Sequence, residues 1–253
     1  LALFEINPPP FPVAHLLSDM TLFQVLLFAF HALAAIALMV GYRTRLATVL
    51  CWYLCHSLML RNYLVNNGGD NVLVCMLFWC MFLPWGERAS LDALARTDSH
   101  PPRESVFSVA SVGLINQVVL IYWVSVFFKM ESTWLSGQAV YYALQSDLYS
   151  QPTRHWLLPY PQMLQALCYL TLVWESVGPL LLLSPWPWLR VLALIPFSLM
   201  HFSFGFFLRL GIFAFSPQLN FIAMLPGGVW TRLGRYRSSD RWQRWGGRLN
   251  GWL

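Results

Sequence analysis

The chain has 253 residues, of which 57% are hydrophobic, 16% aromatic and only 11% charged, and its formal net charge is +5. A water-soluble domain carries roughly 25% charged residues, so the composition excludes an ordinary soluble protein. The basic excess lies mostly at one terminus beside a hydrophobic body, which favours membrane lipid over nucleic acid as the partner. We therefore predict an all-α, polytopic transmembrane helix bundle.

Apolar runs bounded by charge, glycine or proline predict about seven membrane segments of roughly 20 residues each. The second, third and seventh runs are short for the hydrocarbon thickness, so flanking side chains must snorkel or the bilayer must thin. The seventh could be re-entrant instead. In chain order the predicted segments are Thr21–Val40, Leu46–Leu60, Val72–Trp85, Val106–Phe128, Met163–Leu183, Leu189–Leu208 and Leu210–Leu225.

The basic residues also predict the orientation, because cytoplasmic connections retain Lys and Arg. With seven segments, most of the 16 basic residues fall on one side, together with the C-terminal tail. We predict a multi-pass protein of the cell membrane, with a transmembrane domain over residues 1–228 and an Arg/Trp-rich cytoplasmic tail over 229–253. Pairs such as Arg241-Trp242 and Arg244-Trp245 favour an interfacial helix on anionic lipid.

Cysteine and histidine spacing gives no support to a metal site. The five cysteines lie inside apolar runs without C-x-x-C spacing, and we interpret them as packed thiols. No H-x-x-x-H or H-E-x-x-H pattern occurs, and no G-x-S-x-G motif indicates a serine nucleophile.

Polar residues gather in the connection between the second and third segments, residues 61–70. Two adjacent glycines follow Asn67 and permit positive φ, so the connection could fold back and present Asn66, Asn67 and Asp70 inward. The alternative is a helix cap made by Asp70 or Asn71 for the third segment. The two interpretations are compatible.

Lys129 directly follows the fourth segment, which places it at the outer membrane boundary, and Trp134 follows five residues later. A lysine there can snorkel to the surface as a topological anchor. It can also be desolvated, lose its proton more readily and act as a base. Both interpretations remain open from the residues alone.

Two ionisable side chains lie inside later segments. Glu175 is in the middle of the fifth, and Pro179 one turn later favours a local break; His201 is in the sixth. A carboxyl at membrane depth must pair, protonate or line a wet cavity, and an imidazole can relay protons. Each could instead make a structural hydrogen bond. Acid–base chemistry on a lipid-soluble quinone or a hydrophobic peptide suits this set.

Several short motifs follow one another along the chain, each weak alone but specific in order. They are Gly41-Tyr42-Arg43-Thr44-Arg45, Asn67-Gly68-Gly69-Asp70, Ser90-Leu91-Asp92, Lys129 followed by Trp134 and Gly137, His201, and Gly211-Ile212-Phe213. In this order the chain resembles the horizontally transferred transmembrane (HTTM) domain family, whose best-known member is the vitamin K-dependent γ-glutamyl carboxylase.

The resemblance implies a quinol-dependent carboxylase- or lyase-type enzyme with its site on the outer, periplasmic or extracellular, face. Its cofactor would be a reduced, vitamin K-like quinone, without a metal, and its substrate a peptide or a small apolar molecule. Lys129 matches the family's base, and His201 matches a second catalytic residue. The cofactor- or substrate-binding candidates are Asn66, Asn67, Asp70, Trp134 and Glu175.

The chain also departs from the animal carboxylase. It has Lys129-Met130-Glu131 where that enzyme has two lysines, a leucine and an aspartate. We expect the carboxylase's N-terminal helix and its lumenal β-rich domain to be absent, because the chain opens on Leu1-Ala2-Leu3-Phe4 without a methionine and ends soon after the seventh segment. Carboxylation of protein glutamate is therefore not expected.

Two other functions compete with the enzyme. The first is a non-catalytic membrane maturation, immunity or transport component that acts on a small secreted peptide or a lipid-soluble molecule. The second is a small-molecule or proton pathway lined by Glu175, His201 and Arg209, which the lack of an internal repeat disfavours.

Overall fold

The computed structural model describes residues 13–95 and 106–237, and nearly all regular structure in these ranges is helical. The one exception is a single bridging pair, Ser150 with Leu208. The prediction of an all-α fold is therefore confirmed. The helices of at least eight residues in these ranges are α1 Thr21–Val40, α2 Thr44–Arg61, α3 Gly68–Cys80, α4 Val109–Lys129, α5 Pro161–Leu182, α6 Pro187–Phe207, α7 Ser216–Met224 and α8 Gly227–Arg237.

Helices α1 to α7 fall at the seven predicted segments, and four of them, α1, α4, α5 and α6, are long and apolar enough to cross a membrane. Helix α2 is 18 residues long but carries several polar side chains. Helix α3 and the segment Gly211–Met224 are apolar but shorter. The protein is thus a membrane protein with several apolar helices, and the count of seven spans remains a prediction.

Helix α1 shows most directly that the surface suits lipid. Ala34 is its only buried residue, and large apolar side chains such as Leu22, Leu33 and Met39 are 64–77% exposed. A continuous apolar face of this kind is stable in hydrocarbon and not in water.

Successive helices pack against one another from α1 to α6, and α7 returns to contact both α3 and α6. The largest buried cluster forms where α4, α5, α6 and α7 meet, around Tyr122, Phe197 and Phe221. The helices α5 and α6 approach closely at Gly178, where a Cβ would lie 2.6 Å from the Phe197 ring. Small residues permit such contacts between membrane helices.

Helix α5 runs unbroken through Pro179, so the expectation of a local break there is wrong. The proline removes the amide that would bond the Glu175 carbonyl one turn earlier. Packing against neighbouring helices tolerates that loss in a membrane bundle.

At one end of the bundle, two of the sequence motifs form a single structural unit. The Asp92 carboxylate accepts hydrogen bonds from the backbone of Arg43 (2.8 Å) and Thr44 (2.7 Å) and from the Thr44 hydroxyl (2.6 Å). Its own amide donates to the Gly41 carbonyl at 2.9 Å. The unit ties the connection between α1 and α2 to the segment that follows α3.

Two further motifs meet at another point of the bundle. Asn67 is the N-cap of α3: its Oδ1 accepts from the Gly69 amide at 2.7 Å, and the Asp70 carboxylate accepts from the Asn67 amide at 2.8 Å. The interpretation that Gly68 and Gly69 adopt positive φ is wrong, because both are helical. Glycine is required for another reason: a Cβ on Gly69 would lie 2.7 Å from the Phe213 backbone.

Helix α8 begins the predicted tail. The Arg/Trp pairs at 241–245 lie outside the described residues, and the boundary between residues 228 and 229 stays a prediction.

Candidate functional site

A cavity of about 950 Å³ lies among α4, α5, α6 and α7. This volume is near the upper end of small-molecule pockets. Its wall is mainly aliphatic and aromatic, and the only formally charged side chains among its lining residues are Lys129 and Glu175. The lining also includes Tyr122, Trp134, Trp174, His201, Phe213 and Asn220.

Lys129 and Glu175 form an ion pair at the cavity wall. The Lys129 Nζ lies 2.6 Å from Oε1 and 2.5 Å from Oε2 of Glu175. The Lys129 side chain is 18% exposed and that of Glu175 only 4%. The pair joins the last residue of α4 to the middle of α5, and its two charges cancel. The amine is thus directed at a buried carboxylate.

Trp134 covers the other side of the lysine, with its ring centroid 4.8 Å from Nζ, a distance typical of a cation–π contact. The indole is positioned by the short helix Ser132–Leu135, whose N-cap is Glu131. The Glu131 carboxylate accepts from the amides of Thr133 (2.9 Å) and Trp134 (3.0 Å). These hydrogen bonds lower the pKa of Glu131, and the one from the Thr133 amide has the largest effect, so the capping carboxylate stays ionised.

Gly137, the last residue of the motif that begins at Lys129, has φ +77°, a conformation that glycine adopts without strain. A Cβ there would also lie 2.4 Å from the Gln165 side chain on α5. The motif therefore places one amine and one indole at the rim of the cavity and packs the turn that follows them against α5.

A second polar pair lines the cavity, formed by Tyr122, which is two turns before Lys129 on α4, and His201 on α6. The Tyr122 hydroxyl and the His201 Nε2 are 3.0 Å apart, and the two residues are 5% and 4% exposed. Phe213 lies beside the imidazole, with ring centroids 5.1 Å apart. The Nδ1 of His201 has no hydrogen-bond partner among the described residues.

Asn220, in the middle of α7, also lines the cavity and is 1% exposed. Neither its Oδ1 nor its Nδ2 has a hydrogen-bond partner among the described residues. Asn220 was not among the site residues predicted from the sequence. A carboxamide in the centre of a short apolar segment was the available signal, since buried polar groups in membrane helices are commonly functional.

The other predicted site residues do not line the cavity. Asn66 donates from Nδ2 to the Met59 carbonyl at 2.8 Å, and Asn67 and Asp70 form the α3 cap described above. The α3 cap nevertheless lies next to the cavity, because the lining residue Phe213 packs against Gly68 and Gly69 and lies against His201. Arg209, proposed for a proton pathway, is exposed and is not among the lining residues.

The helices and the cavity define a class: a multi-helix membrane protein with a charge-neutral acid–base pair in the wall of an apolar cavity. Residues 8–225 match the family model of the HTTM domain, and the chain belongs to that family. No curated protein and no solved structure matches it.

Proposed function

We propose that this HTTM protein is a membrane enzyme of the carboxylase or lyase type that uses a reduced quinone, with the Lys129–Glu175 pair removing a proton from a hydroxyl held in the cavity. One observation carries the proposal. Lys129 and Glu175, the only formally charged side chains among the lining residues, neutralise each other in the wall of an apolar cavity large enough for an aromatic ligand.

The charge balance of the wall supports a neutral ligand. Burying an uncompensated ion costs far more than burying a neutral polar group. Because Lys129 and Glu175 cancel, a charged ligand finds no free counter-charge among the lining residues. An apolar molecule with neutral hydroxyl groups fits the wall better than a fatty acid or a phosphorylated lipid.

The Lys129–Glu175 pair can form the neutral amine that must accept the hydroxyl proton. As an ammonium, Lys129 has no free lone pair and is not a base. Transfer of one proton from Nζ to Glu175, across a contact of about 2.6 Å, leaves a neutral amine and a neutral carboxylic acid. The amine then accepts the hydroxyl proton, and the new ammonium stays beside the oxygen that lost it and stabilises its negative charge.

His201 is the second proposed catalytic residue. Its hydrogen bond to Tyr122 orients the imidazole within the cavity wall, where it can hold or relay a proton. When bound, the reduced quinone would supply the chemistry of carboxylation, as in the family's carboxylase. The chain's own part is to bind it, exclude water and take its proton.

A sharp experiment exploits the fact that Lys129 is the only lysine in the sequence. The protein is placed in lipid nanodiscs under anaerobic conditions, treated with an amine-specific reagent, and its labelled peptides are measured by mass spectrometry. We expect 1,4-naphthalenediol to protect Lys129 while the α-amino group of the chain is labelled as before. Labelling of Lys129 that is unchanged at saturating diol would overturn the proposal.

Lys129→Arg is the matched variant, because it keeps the positive charge but cannot give up its proton at working pH. We expect it to bind the diol and to lose quinol consumption when oxygen and bicarbonate are supplied. If Lys129→Arg consumes quinol like the wild type, Lys129 is not the base. If the wild type binds the diol and consumes none, the protein is a non-catalytic binding component.

A further inference from the structure

Asn220 is the only residue in the described part of the chain that buries two side-chain polar atoms without a hydrogen-bond partner. Asparagine is a poor residue for a helix interior, and Asn220 lies four residues into α7, past its first turn. It is nearly fully buried with both polar atoms unpartnered. Buried polar groups are nearly always hydrogen-bonded, so this exception requires an explanation.

Its position supplies one. Asn220 lies in the wall of the cavity, together with Tyr122 and His201, which come from α4 and α6. The three residues, called here the amide pole, belong to different helices, and only the tertiary structure brings them into the wall of one cavity. The Tyr122 hydroxyl and the His201 Nε2 bond each other, which leaves the His201 Nδ1 and both polar atoms of the Asn220 carboxamide without a hydrogen-bond partner among the described residues. Of these residues only Asn220 offers both a donor and an acceptor, and neither is engaged.

Tyr122 of the amide pole and Lys129 of the ion pair line the same cavity from one helix. Tyr122 and Lys129 are seven residues apart on α4, which places them on the same face about 10.5 Å apart along the axis. A rigid ligand with one oxygen at each end can contact both.

We propose that Asn220 binds a second, neutral hydroxyl group of the cavity's ligand, with Oδ1 accepting from it or Nδ2 donating to it. The inference rests on the proposed function, since it places the same ligand in the same cavity. The new element is that the ligand carries two polar groups. Asn220 would then favour such a ligand over a molecule with a single polar group. No bond is made or broken in this step.

The test compares two probes that differ by one hydroxyl, 1,4-naphthalenediol and 1-naphthol, binding anaerobically to protein in nanodiscs. Affinities are measured by quenching of tryptophan fluorescence, because Trp134 and Trp174 line the cavity. We expect the wild type to prefer the diol about tenfold, the scale of one well-made hydrogen bond at a buried site. In Asn220→Leu, which is close in volume, we expect this ratio to fall to about one.

Gln218→Leu is the matched control, since Gln218 is an amide on the same helix that donates to the Ser198 carbonyl and does not line the cavity. It should keep the tenfold preference. Retention of that preference in Asn220→Leu overturns the inference and leaves the proposed function standing. A preference that Asn220→Leu abolishes, in a protein whose Lys129 is never protected, supports the inference and overturns the proposed function. If neither probe binds the wild type, both are overturned.

Discussion

The Lys129–Glu175 pair lends itself to a double-mutant cycle. In Lys129→Met, the Glu175 side chain, 4% exposed, loses its counter-charge and stays buried. It can avoid a buried charge by protonating, and protonating a free glutamate at pH 7 costs about 3.7 kcal/mol, at about 1.4 kcal/mol per pH unit. We therefore expect Lys129→Met to lower the free energy of unfolding by about 3 to 4 kcal/mol, as for other broken buried pairs.

Glu175→Leu and the double variant should each lose less stability than Lys129→Met, because neither leaves an unpaired charge that must stay buried. Glu175→Leu leaves an ammonium whose side chain is 18% exposed and can extend to the surface, so we expect a loss of only about 1 to 3 kcal/mol. The double variant buries no charge. It should lie within about 1 kcal/mol of the wild type, because apolar replacements of buried pairs are often neutral.

The assay is equilibrium unfolding in mixed micelles by titration with SDS, followed by circular dichroism. The loss in Lys129→Met should shrink to about 1 kcal/mol at pH 5, where protonating a carboxyl costs less. Asp147→Asn is the control: it breaks the Arg154 pair, whose Asp147 side chain is 89% exposed, and should cost under about 1 kcal/mol. Additive losses in the cycle, or a loss in Lys129→Met that does not change with pH, would refute the reasoning.

Three further predictions follow from single residues. Glu131→Ala removes the N-cap that holds the indole, and we expect faster labelling of Lys129 by an amine reagent; an unchanged rate contradicts this. Gly69→Ala inserts a Cβ 2.7 Å from backbone and should lower stability by about 1 to 3 kcal/mol, whereas Gly227→Ala, with nothing within 4 Å, should not. Burial is the main cause that lowers the pKa of His15, so stability should fall as pH drops below about 6.5. His15→Gln should make this fall shallower in the same unfolding titration, and an unchanged slope would contradict the prediction.

Much of the fold could be predicted because hydropathy is a local property of the chain. Each apolar run is helical wherever it lies, since backbone groups in a bilayer must bond within their own segment. The boundaries moved by only a few residues, as for the predicted Val106–Phe128 and the observed α4. Cap formation at α3 is equally local: Asp70 takes part in the cap, as predicted, by accepting from the amide of Asn67, which is the N-cap residue.

The motifs were recognisable from the sequence, but their physical roles were not. The glycines after Asn67 suggested positive φ, and the structure assigns them to a close approach by Phe213, about 145 residues away along the chain. Spacing within a motif carries no information about which distant backbone packs on it.

The sequence by itself determined that this is a helical membrane protein, which residues carry charge at membrane depth, and the family to which the motifs belong. Only the tertiary structure decided that Lys129 faces Glu175, 46 residues on, that Tyr122 bonds His201, and that Asn220 lines the same cavity without a partner. The physical reason is that charge pairing and unsatisfied burial depend on how α4 to α7 rotate and pack against one another. Those rotations follow from the whole core and from no single segment.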